Sequence, residues 1–301
     1  MSKVILVTGA TGKQGGAVIR SLLDSNADLE ILAVTRYAES PSAQKLAMLS
    51  PKIKIVQGNL DRPSEIFDEA AKVSNSSVWG VFSVQTVGVT RKDAEEIQGK
   101  GLIDAALERD VKFFVYSSVD RGGEASSKNP TNVPHFATKH RIEEHLFEAT
   151  KNSNMQWTVL RPVAFFDNIV PDFFGKIFCT SYKMVLEDRP LQLIATSDIG
   201  YFAAQAFLKP DEYQGQCISL AGDELKFRDF ERIFEEKTGE PLPLMNTILC
   251  RLLHWISAEL YTMYRWFHDR GYQADIPALR AKHPELMDFS AWLEKESVWK
   301  K

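Results

Sequence analysis

The clearest candidates for a binding site are the glycines of a loop near the start of the chain. Gly9, Gly12 and Gly15 follow the first apolar run and open a helical segment, and their G-x-x-G-x-x-G spacing is a variant of the dinucleotide fingerprint. Glycine permits a tight turn and a close approach of backbone to a pyrophosphate, and a helix N-terminus favours phosphate. A glycine-rich turn without a ligand is the alternative, but the strand–loop–helix context favours nucleotide binding.

The end of the second apolar run indicates which dinucleotide would bind. An acidic residue there accepts a hydrogen bond from the adenosine ribose 2′-hydroxyl. Here Val34 is followed by Thr35 and Arg36, and the first carboxylate comes at Glu39. Arg36 could form paired hydrogen bonds to a 2′-phosphate and stack on adenine, although an arginine exposed at the surface is the plain alternative. This pattern favours NADP(H) over NAD(H).

These residues need a scaffold in which strands and helices alternate. Short apolar runs rich in Val, Ile and Phe fit strands that are buried on both faces of a parallel sheet. Such runs occur at residues 4–8, 31–35, 53–57, 78–83, 113–117 and 158–160, with helical segments at 16–23, 92–108 and 138–151. The alternation predicts an α/β fold, a Rossmann-type doubly wound parallel sheet with its ligand crevice at the carboxyl ends of the strands.

The pattern changes in the second half of the chain. Residues 165–178 are aromatic and irregular, strands are predicted at 191–195 and 217–221, and helices at 197–207, 227–237, 247–269 and 291–299. We therefore expect an NADP-binding Rossmann domain over 1–160, to which 191–221 returns. A smaller, mostly helical C-terminal lobe over 161–301 would bind the substrate or a partner.

Composition excludes several classes of protein. The 301 residues carry 36 basic and 40 acidic side chains, so the formal net charge of −4 gives no global case for direct nucleic-acid binding. No apolar run approaches the roughly 18 residues of a membrane span. Three cysteines lack paired or metal-ligand spacing, namely Cys179, Cys217 and Cys250. We expect a cytoplasmic protein, with the nucleus as a second compartment.

The helix predicted over 138–151 carries further polar residues to which we assign no chemistry. His140 and His145 are five residues apart, whereas helical metal-binding pairs are spaced four apart, so no metal site is expected. Glu143 and Glu144 lie among basic neighbours, a pattern typical of a solvated helix face.

Taken together, the chain resembles the NmrA-like family, atypical members of the short-chain dehydrogenase superfamily that include oxidoreductases and a redox sensor. The resemblance spans nearly the whole chain and rests on residues 8–16, 35–36, 58–61, 98–100, 135–139, 165–168 and 197–200. It implies a Rossmann domain that binds NADP(H) and a smaller lobe that covers the nicotinamide end.

The resemblance also implies a role for individual residues along the cofactor. The pyrophosphate would be held by Gly9, Ala10, Thr11, Gly12, Lys13, Gln14 and Gly15, and the 2′-phosphate by Arg36. Asn59 and Leu60 would flank the adenine, and Val84, Gln85 and Thr86 would pass near the ribose and nicotinamide. Lys139 would reach the nicotinamide ribose hydroxyls, and Phe165, Phe166 and Asn168 would close over the nicotinamide.

The residue that would move a proton is left open. Typical short-chain dehydrogenases use a serine with the tyrosine and lysine of Y-x-x-x-K, but residues 135–139 read His-Phe-Ala-Thr-Lys, so the tyrosine is absent. Either Lys139 itself, as in isoflavone-reductase-like enzymes, or His135 could serve as the acid/base. Ser117 or Ser118 could hydrogen-bond a substrate oxygen or merely end the fifth strand.

Two functions follow from these expectations. The first is an NADP(H)-dependent oxidoreductase that acts on a bulky, largely apolar small molecule, in keeping with secondary metabolism. The second is a non-catalytic NADP(H)-binding redox sensor that regulates a protein partner such as a transcription regulator. The aromatic run of Trp255, Tyr261, Tyr264, Trp266 and Phe267 would be a core helix, the roof of a substrate pocket or a partner surface.

Overall fold

The computed structural model describes residues 3–85 and 93–300 of the chain. Within them the strands are β1 (Lys3–Val7), β2 (Leu29–Thr35), β3 (Ile53–Gln57), β4 (Gly80–Ser83), β5 (Phe113–Ser117), β6 (Gln156–Pro162), β7 (Ala164–Phe165), β8 (Leu191–Ile194), β9 (Gln216–Leu220) and β10 (Asp223–Leu225). The α-helices are α1 (Lys13–Asp24), α2 (Pro41–Ala47), α3 (Pro63–Val73), α4 (Ala94–Glu108), α5 (Pro134–Thr150), α6 (Phe173–Val185), α7 (Thr196–Leu208), α8 (Pro210–Tyr213), α9 (Phe227–Thr238), α10 (Thr247–Ile256), α11 (Ala258–Asp269), α12 (Ile276–Lys282) and α13 (Phe289–Lys295).

The main sheet has seven strands in the order β3-β2-β1-β4-β5-β6-β9. The pairs β1–β2, β2–β3, β1–β4, β4–β5 and β5–β6 are all parallel. The strand order reverses between β1 and β4, and open α/β sheets hold their ligands at such a switch point. The predicted Rossmann-type doubly wound α/β fold is confirmed.

The apolar strands form the core because helices cover the sheet. Leu6 of β1 and Val81 of β4 pack with Leu102 of α4 and with Ile142 and Leu146 of α5. Parallel strands covered on both faces are uniformly apolar rather than alternating. This burial fixes the strands, and so fixes the loops at their carboxyl ends.

The chain divides by its internal contacts into two compact units. Unit 1 consists of Met1–Ser118, Thr138–Arg161 and Ile199–Ile218, and unit 2 of Val119–Ala137, Pro162–Asp198 and Ser219–Lys301. These ranges differ in detail from the predicted boundaries. The segment that returns to unit 1 is shorter than 191–221, and 119–137 belongs to unit 2.

Unit 2 contains a small sheet in the order β10-β8-β7, in which β7 and β8 are parallel and β8 and β10 antiparallel.

The aromatic residues of α10 and α11, also in unit 2, differ in their exposure to solvent. Tyr264, Trp266 and Phe267 are buried, as expected for a core helix, whereas Trp255 and Tyr261 are exposed.

The prediction of one long helix over 247–269 is wrong, because the helix is interrupted at Ser257. Ser257 has extended backbone angles, φ −103° and ψ 96°, and its side chain accepts a hydrogen bond from the Leu260 amide. This serine therefore caps α11 and separates it from α10. Serine competes with helical backbone bonding and is favoured at such N-caps.

The irregular structure predicted over 165–178 is also partly wrong, because α6 begins at Phe173. Asp172 caps this helix, accepting a hydrogen bond from the Gly175 amide at 2.9 Å.

Among the residues that the structure describes, every helix is too short or too polar to span a bilayer. Residues 3–85 and 93–300 also contain no group of three or more His, Cys, Asp or Glu that could hold a metal ion.

Candidate cofactor and active site

The glycine loop between β1 and α1 forms a tight backbone cradle. Gly9 has a positive φ of +59°, and its carbonyl accepts a hydrogen bond from the Gly12 amide at 2.9 Å. A Cβ on Gly15 would lie 2.3 Å from the Gly9 oxygen and 2.7 Å from the Thr8 oxygen, closer than real atoms approach. Only glycine therefore fits where α1 meets the loop.

The N-terminus of α1 has the features of an anion site. Gly12 offers no side-chain cap, and the first turn contains no acidic residue. The positive end of the helix dipole therefore has no carboxylate of its own helix beside it, and such helix ends bind phosphate. The cradle and the helix end together fit the pyrophosphate of a dinucleotide.

A hydrogen-bonded bridge joins the glycine loop to the end of β4. The Thr8 hydroxyl accepts from the Val84 amide at 2.9 Å and lies 3.1 Å from the carbonyl oxygens of Phe82 and Val84. Gln85 is buried and donates from Nε2 to Ser83 Oγ at 2.8 Å. Its Oε1 is buried and has no hydrogen-bond partner in residues 3–85 and 93–300. Thr86 lies outside the described residues.

The predicted adenosine-side residues follow β2 and β3. Arg36 is exposed directly after β2. Asn59 is half-buried and its Oδ1 accepts from the Asp61 amide at 3.1 Å, which shapes the turn after β3. Leu60 packs against the core of unit 1. These three residues therefore lie on the β2–β3 side of the switch point, at the same sheet edge as the glycine loop.

Ser117, at the carboxyl end of β5, meets residues from two other elements. Its hydroxyl donates to Gln14 Oε1 at 2.6 Å. Lys139 Nζ lies 3.5 Å from the Ser117 carbonyl oxygen and 2.8 Å from Glu95 Oε1. The structure thus brings three predicted residues together: Gln14, Ser117 and Lys139.

Glu95 was not among the site residues predicted from the sequence, although its position in α4 indicates that it is buried. It lies on the buried face of α4, in helical register with Gly99 and Leu102. An acidic side chain at an apolar position needs a charged partner, because an unpaired buried charge is costly. Lys139 is that partner, and the ion pair holds its ammonium group close to the end of β5.

Glu143 does not lie on a solvated face, and that prediction is wrong. Its carboxylate is fully buried and forms an ion pair with Arg161, with Oε2 2.7 Å from Nη2 and Oε1 3.2 Å from Nε. Ser118 Oγ also hydrogen-bonds to Oε1. The spacing of three and four residues could have indicated this burial, because it places Glu143 on the same side of α5 as the buried Leu146 and Thr150.

His135, at the position of the missing tyrosine, belongs to unit 2. Its Nδ1 lies 2.8 Å from Glu259 Oε1, and its ring packs edge-on against Phe136. The hydrogen bond from His135 lowers the pKa of Glu259, although partial burial opposes this shift. The imidazole therefore has a fixed carboxylate partner at one nitrogen.

The three residues predicted to close over the nicotinamide also belong to unit 2, and they differ in exposure. Phe166 has no exposed surface and stacks on Phe289 and Trp292, with ring centroids 5.4 and 5.6 Å apart. Its burial supports a role in the core rather than contact with a ligand. Phe165 is half-buried and Asn168 is exposed, so both have surface to offer a ligand.

The chain belongs to the NmrA-like family, whose model matches residues 1–296. A curated relative, the NmrA-like family domain-containing oxidoreductase lnaB of Aspergillus flavus, is 36% identical over 255 residues. That match covers 79% of this chain and 73% of lnaB. The family predicted from the glycine loop and the other motifs is therefore confirmed.

Solved structures support the fold at lower identity. Citrobacter sp. triphenylmethane reductase, complexed with NADP(H), has a TM-score of 0.72 and 15% identity over 98% of this chain and 100% of its own. NmrA, a negative transcriptional regulator, in complex with NADP has a TM-score of 0.71 and 18% identity over 99% of this chain and 95% of its own. NmrA has also been solved with NAD. The same architecture therefore occurs in a reductase and in a regulator.

Proposed function

We propose that this protein is an NADP(H)-dependent oxidoreductase that acts on a bulky, largely apolar small molecule. The observation that carries the proposal is the cradle of Gly9 and Gly15 at the β1–β4 switch point, which packs the loop closely against α1 and leaves the N-terminus of α1 without a side-chain cap. When bound, the cofactor supplies or accepts a hydride. The chemistry is hydride transfer, or a redox-neutral reaction that borrows the cofactor.

Arg36 would select the phosphorylated cofactor. It is exposed immediately after β2, where a ribose-binding carboxylate would otherwise stand, and its guanidinium can bind a 2′-phosphate through two hydrogen bonds. Asn59 and Leu60 would flank the adenine, and Val84 and Gln85 would follow the ribose towards the nicotinamide. The Oε1 of Gln85, which has no hydrogen-bond partner among the described residues, supports this last role.

Lys139 is our candidate for both ribose binding and proton transfer. Its ammonium group can donate to ribose hydroxyls while Glu95 holds it in place. Ser117 would orient a substrate oxygen after exchanging its bond to Gln14. Phe165 and Asn168 would contact the nicotinamide end, whereas the burial of Phe166 speaks against a direct contact.

The test of cofactor binding is a calorimetric titration of the nucleotide-free chain with NADP⁺, NADPH, NAD⁺ and NADH. We expect the phosphorylated pair to bind at least about tenfold more tightly, a difference of about 1.4 kcal/mol. Arg36→Gln should abolish this preference and leave NADH affinity unchanged. Arg232→Gln, which removes an exposed charge on α9, is the control. Absence of binding by all four nucleotides would refute the proposal.

A non-catalytic redox sensor is the second candidate, and His135 favours it. The residue at the tyrosine position lies within hydrogen-bond distance of Glu259 in unit 2, so the usual proton donor is replaced by a histidine that is tied to a carboxylate. A sensor must bind the oxidised and reduced cofactor with different affinity or in different conformations, because equal affinity shifts no equilibrium. Its partner would be a protein such as a transcription regulator.

Turnover separates the two candidates. The oxidoreductase should consume NADPH with some member of a panel of quinones, aromatic carbonyls and triphenylmethane dyes, and Lys139→Ala should lower that rate. The sensor should show no turnover, but small-angle scattering should differ between its NADP⁺ and NADPH complexes. Unchanged NADPH affinity and unchanged turnover in Lys139→Ala would overturn the site assignment.

A further inference from the structure

Unit 2 contains an open cavity with several charged residues in its lining, and the proposed function does not use it. Its volume is about 910 Å³, within the range of small-molecule sites. One wall is the segment between β5 and α5, and the other is the end of α11 with the turn that follows. None of the residues assigned above to the cofactor or to proton transfer lines this cavity.

The cavity is strongly basic in a chain whose net charge is −4. Four of its lining residues are cations, Arg121, Lys128, Arg265 and Arg270, and a single one is acidic, which gives a formal charge of +3. The acidic residue, Asp269, lies 3.2 Å from Arg265 and 2.7 Å from His268, so its charge is already compensated. The field inside the cavity therefore favours an anion.

Two of these cations are free to bind a ligand. Lys128 and Arg270 are exposed, and neither forms an ion pair with any residue that the structure describes. Arg265 is held by the half-exposed Asp269, and surface pairs of this kind are weak enough to exchange for a better acceptor. Amide and hydroxyl side chains, among them Asn132 and Gln273, add neutral donors to the lining.

The β5–α5 wall is held rigidly in place. Buried Asp120 accepts from the amides of Gly122 and Gly123 and from the Gln273 amide, which ties both walls together. Buried Arg121 donates to the carbonyl oxygens of Val119, Ser126 and Asn129. A site fixed in this way loses little conformational entropy when a ligand binds.

Backbone strain lies in the same wall. Thr131, which lines the cavity, has a φ of +63°. A β-branched residue in this region is strained, and such strain persists only where surrounding bonds impose it. Asn129 helps to impose it, since its Oδ1 accepts from the Thr131 amide at 3.1 Å.

We propose that this cavity binds a small multivalent oxyanion, such as a phosphorylated or polycarboxylate metabolite, at a site separate from the dinucleotide site. Lys128 and Arg270 would form charge-assisted hydrogen bonds with the anion, while the polar side chains fix its orientation. A ligand there stabilises unit 2 directly and would make the folded state sensitive to the concentration of that metabolite.

The experiment is a calorimetric titration of the full-length chain with pyrophosphate and, separately, with citrate, in the presence of saturating NADPH so that the glycine loop is already occupied. The variant Lys128→Gln/Arg270→Gln removes two of the four cations without touching the bonded Arg121. The control Lys45→Gln/Arg251→Gln removes two charges from exposed positions outside the cavity. We expect the cavity variant to bind pyrophosphate at least about tenfold more weakly and the control to bind it normally.

The outcomes distinguish this site from the glycine loop. NADPH affinity should be unchanged in the cavity variant, and Arg36→Gln should leave the pyrophosphate affinity of the cavity unchanged. Binding of citrate as well as pyrophosphate indicates a general polyanion site, and binding of pyrophosphate alone indicates a phosphate-specific one. Equal pyrophosphate affinity in the unmodified chain and the cavity variant, or no binding of either anion, would overturn the proposal.

Discussion

The buried pair of Glu143 and Arg161 shows how a single residue can support a site that it does not touch. Both side chains are almost fully excluded from water, and Ser118, directly after Ser117, hydrogen-bonds to the same carboxylate. Removing one member of such a pair leaves an uncompensated charge in the interior, whereas replacing both with apolar groups is often tolerated. The pair therefore anchors the carboxyl ends of β5 and β6.

This arrangement gives a prediction for stability. Glu143→Gln should lower the free energy of unfolding by about 3 to 5 kcal/mol, because the buried charge of Arg161 is left without its carboxylate partner. The double variant Glu143→Leu/Arg161→Met should recover most of that loss. Urea unfolding of the three proteins measures both effects, and a cost below about 1 kcal/mol for the single change would contradict the role of the pair.

His254 gives a prediction for pH dependence. It is buried, its Nε2 lies 2.8 Å from Ser181 Oγ, and burial lowers its pKa. The unfolded chain therefore binds a proton that the folded chain does not, at pH values between the lowered pKa and the ordinary value of about 6.5. The stability due to neutral His254 is complete above about pH 6.5 and is lost as the pH falls through the folded pKa.

The measurement is urea unfolding of the chain and of His254→Gln at several pH values. Below about pH 6.5 the unmodified chain should lose up to about 1.4 kcal/mol per pH unit more than the variant. The comparison is between slopes, so an overall loss of stability in the variant does not affect it. Parallel slopes would show that His254 does not titrate on unfolding.

At the scale of elements, the glycine loop could be predicted from sequence because its residues are local. Strand, loop and helix are consecutive, so spacing alone carries the geometry of Gly9 to Gly15. The buried carboxylates that support the site are different, since Glu95 meets Lys139 only after α4 has packed on α5, and Glu143 meets Arg161 only after α5 has packed on β6. The break at Ser257 was missed because apolar periodicity continues across it, although a serine followed by Glu259 is a start signal.

Neighbouring glycines of α1 give a matched test of the cradle. Gly15→Ala should cost about 1 to 3 kcal/mol of stability, because the new Cβ meets the backbone oxygens of Gly9 and Thr8. Gly16→Ala should be neutral or stabilising by up to about 1 kcal/mol, since its Cβ would make ordinary contacts, at 3.4 Å from Arg20 Nη1 and 3.5 Å from the Ala10 oxygen, and alanine favours helix.

Two measurements compare the Gly15→Ala and Gly16→Ala variants. Urea unfolding reports the packing of the cradle whether or not a nucleotide binds, and NADPH titration reports the proposed site. We expect Gly15→Ala to weaken NADPH binding by at least about tenfold and Gly16→Ala to leave it unchanged. Equal stability of the two variants would mean that the loop yields to the new methyl group.

At the scale of the whole molecule, unit 1 is assembled from three separate stretches of sequence. The last of them, Ile199–Ile218, carries Phe207, whose buried ring packs against Trp79 and Phe113. Its carbonyl also accepts from Lys3 Nζ at 3.2 Å. A return of the chain to the sheet was predictable from the strand signal near 217, but the partners of Phe207 were not, because apolar contacts across more than 90 residues leave no local pattern.

This assembly predicts that the fragment 1–160 is not an independent domain. Without Phe207 the rings of Trp79 and Phe113 lose their cover, so the fragment should lack cooperative urea unfolding. In the full chain Phe207→Ala should cost about 3 to 5 kcal/mol, as expected for a buried ring. Phe174→Ala, at a position that is 76% exposed, should change stability by less than about 0.5 kcal/mol. A fragment 1–160 that unfolds cooperatively, with Phe207→Ala close to neutral, would show that the first 160 residues carry their own complete core.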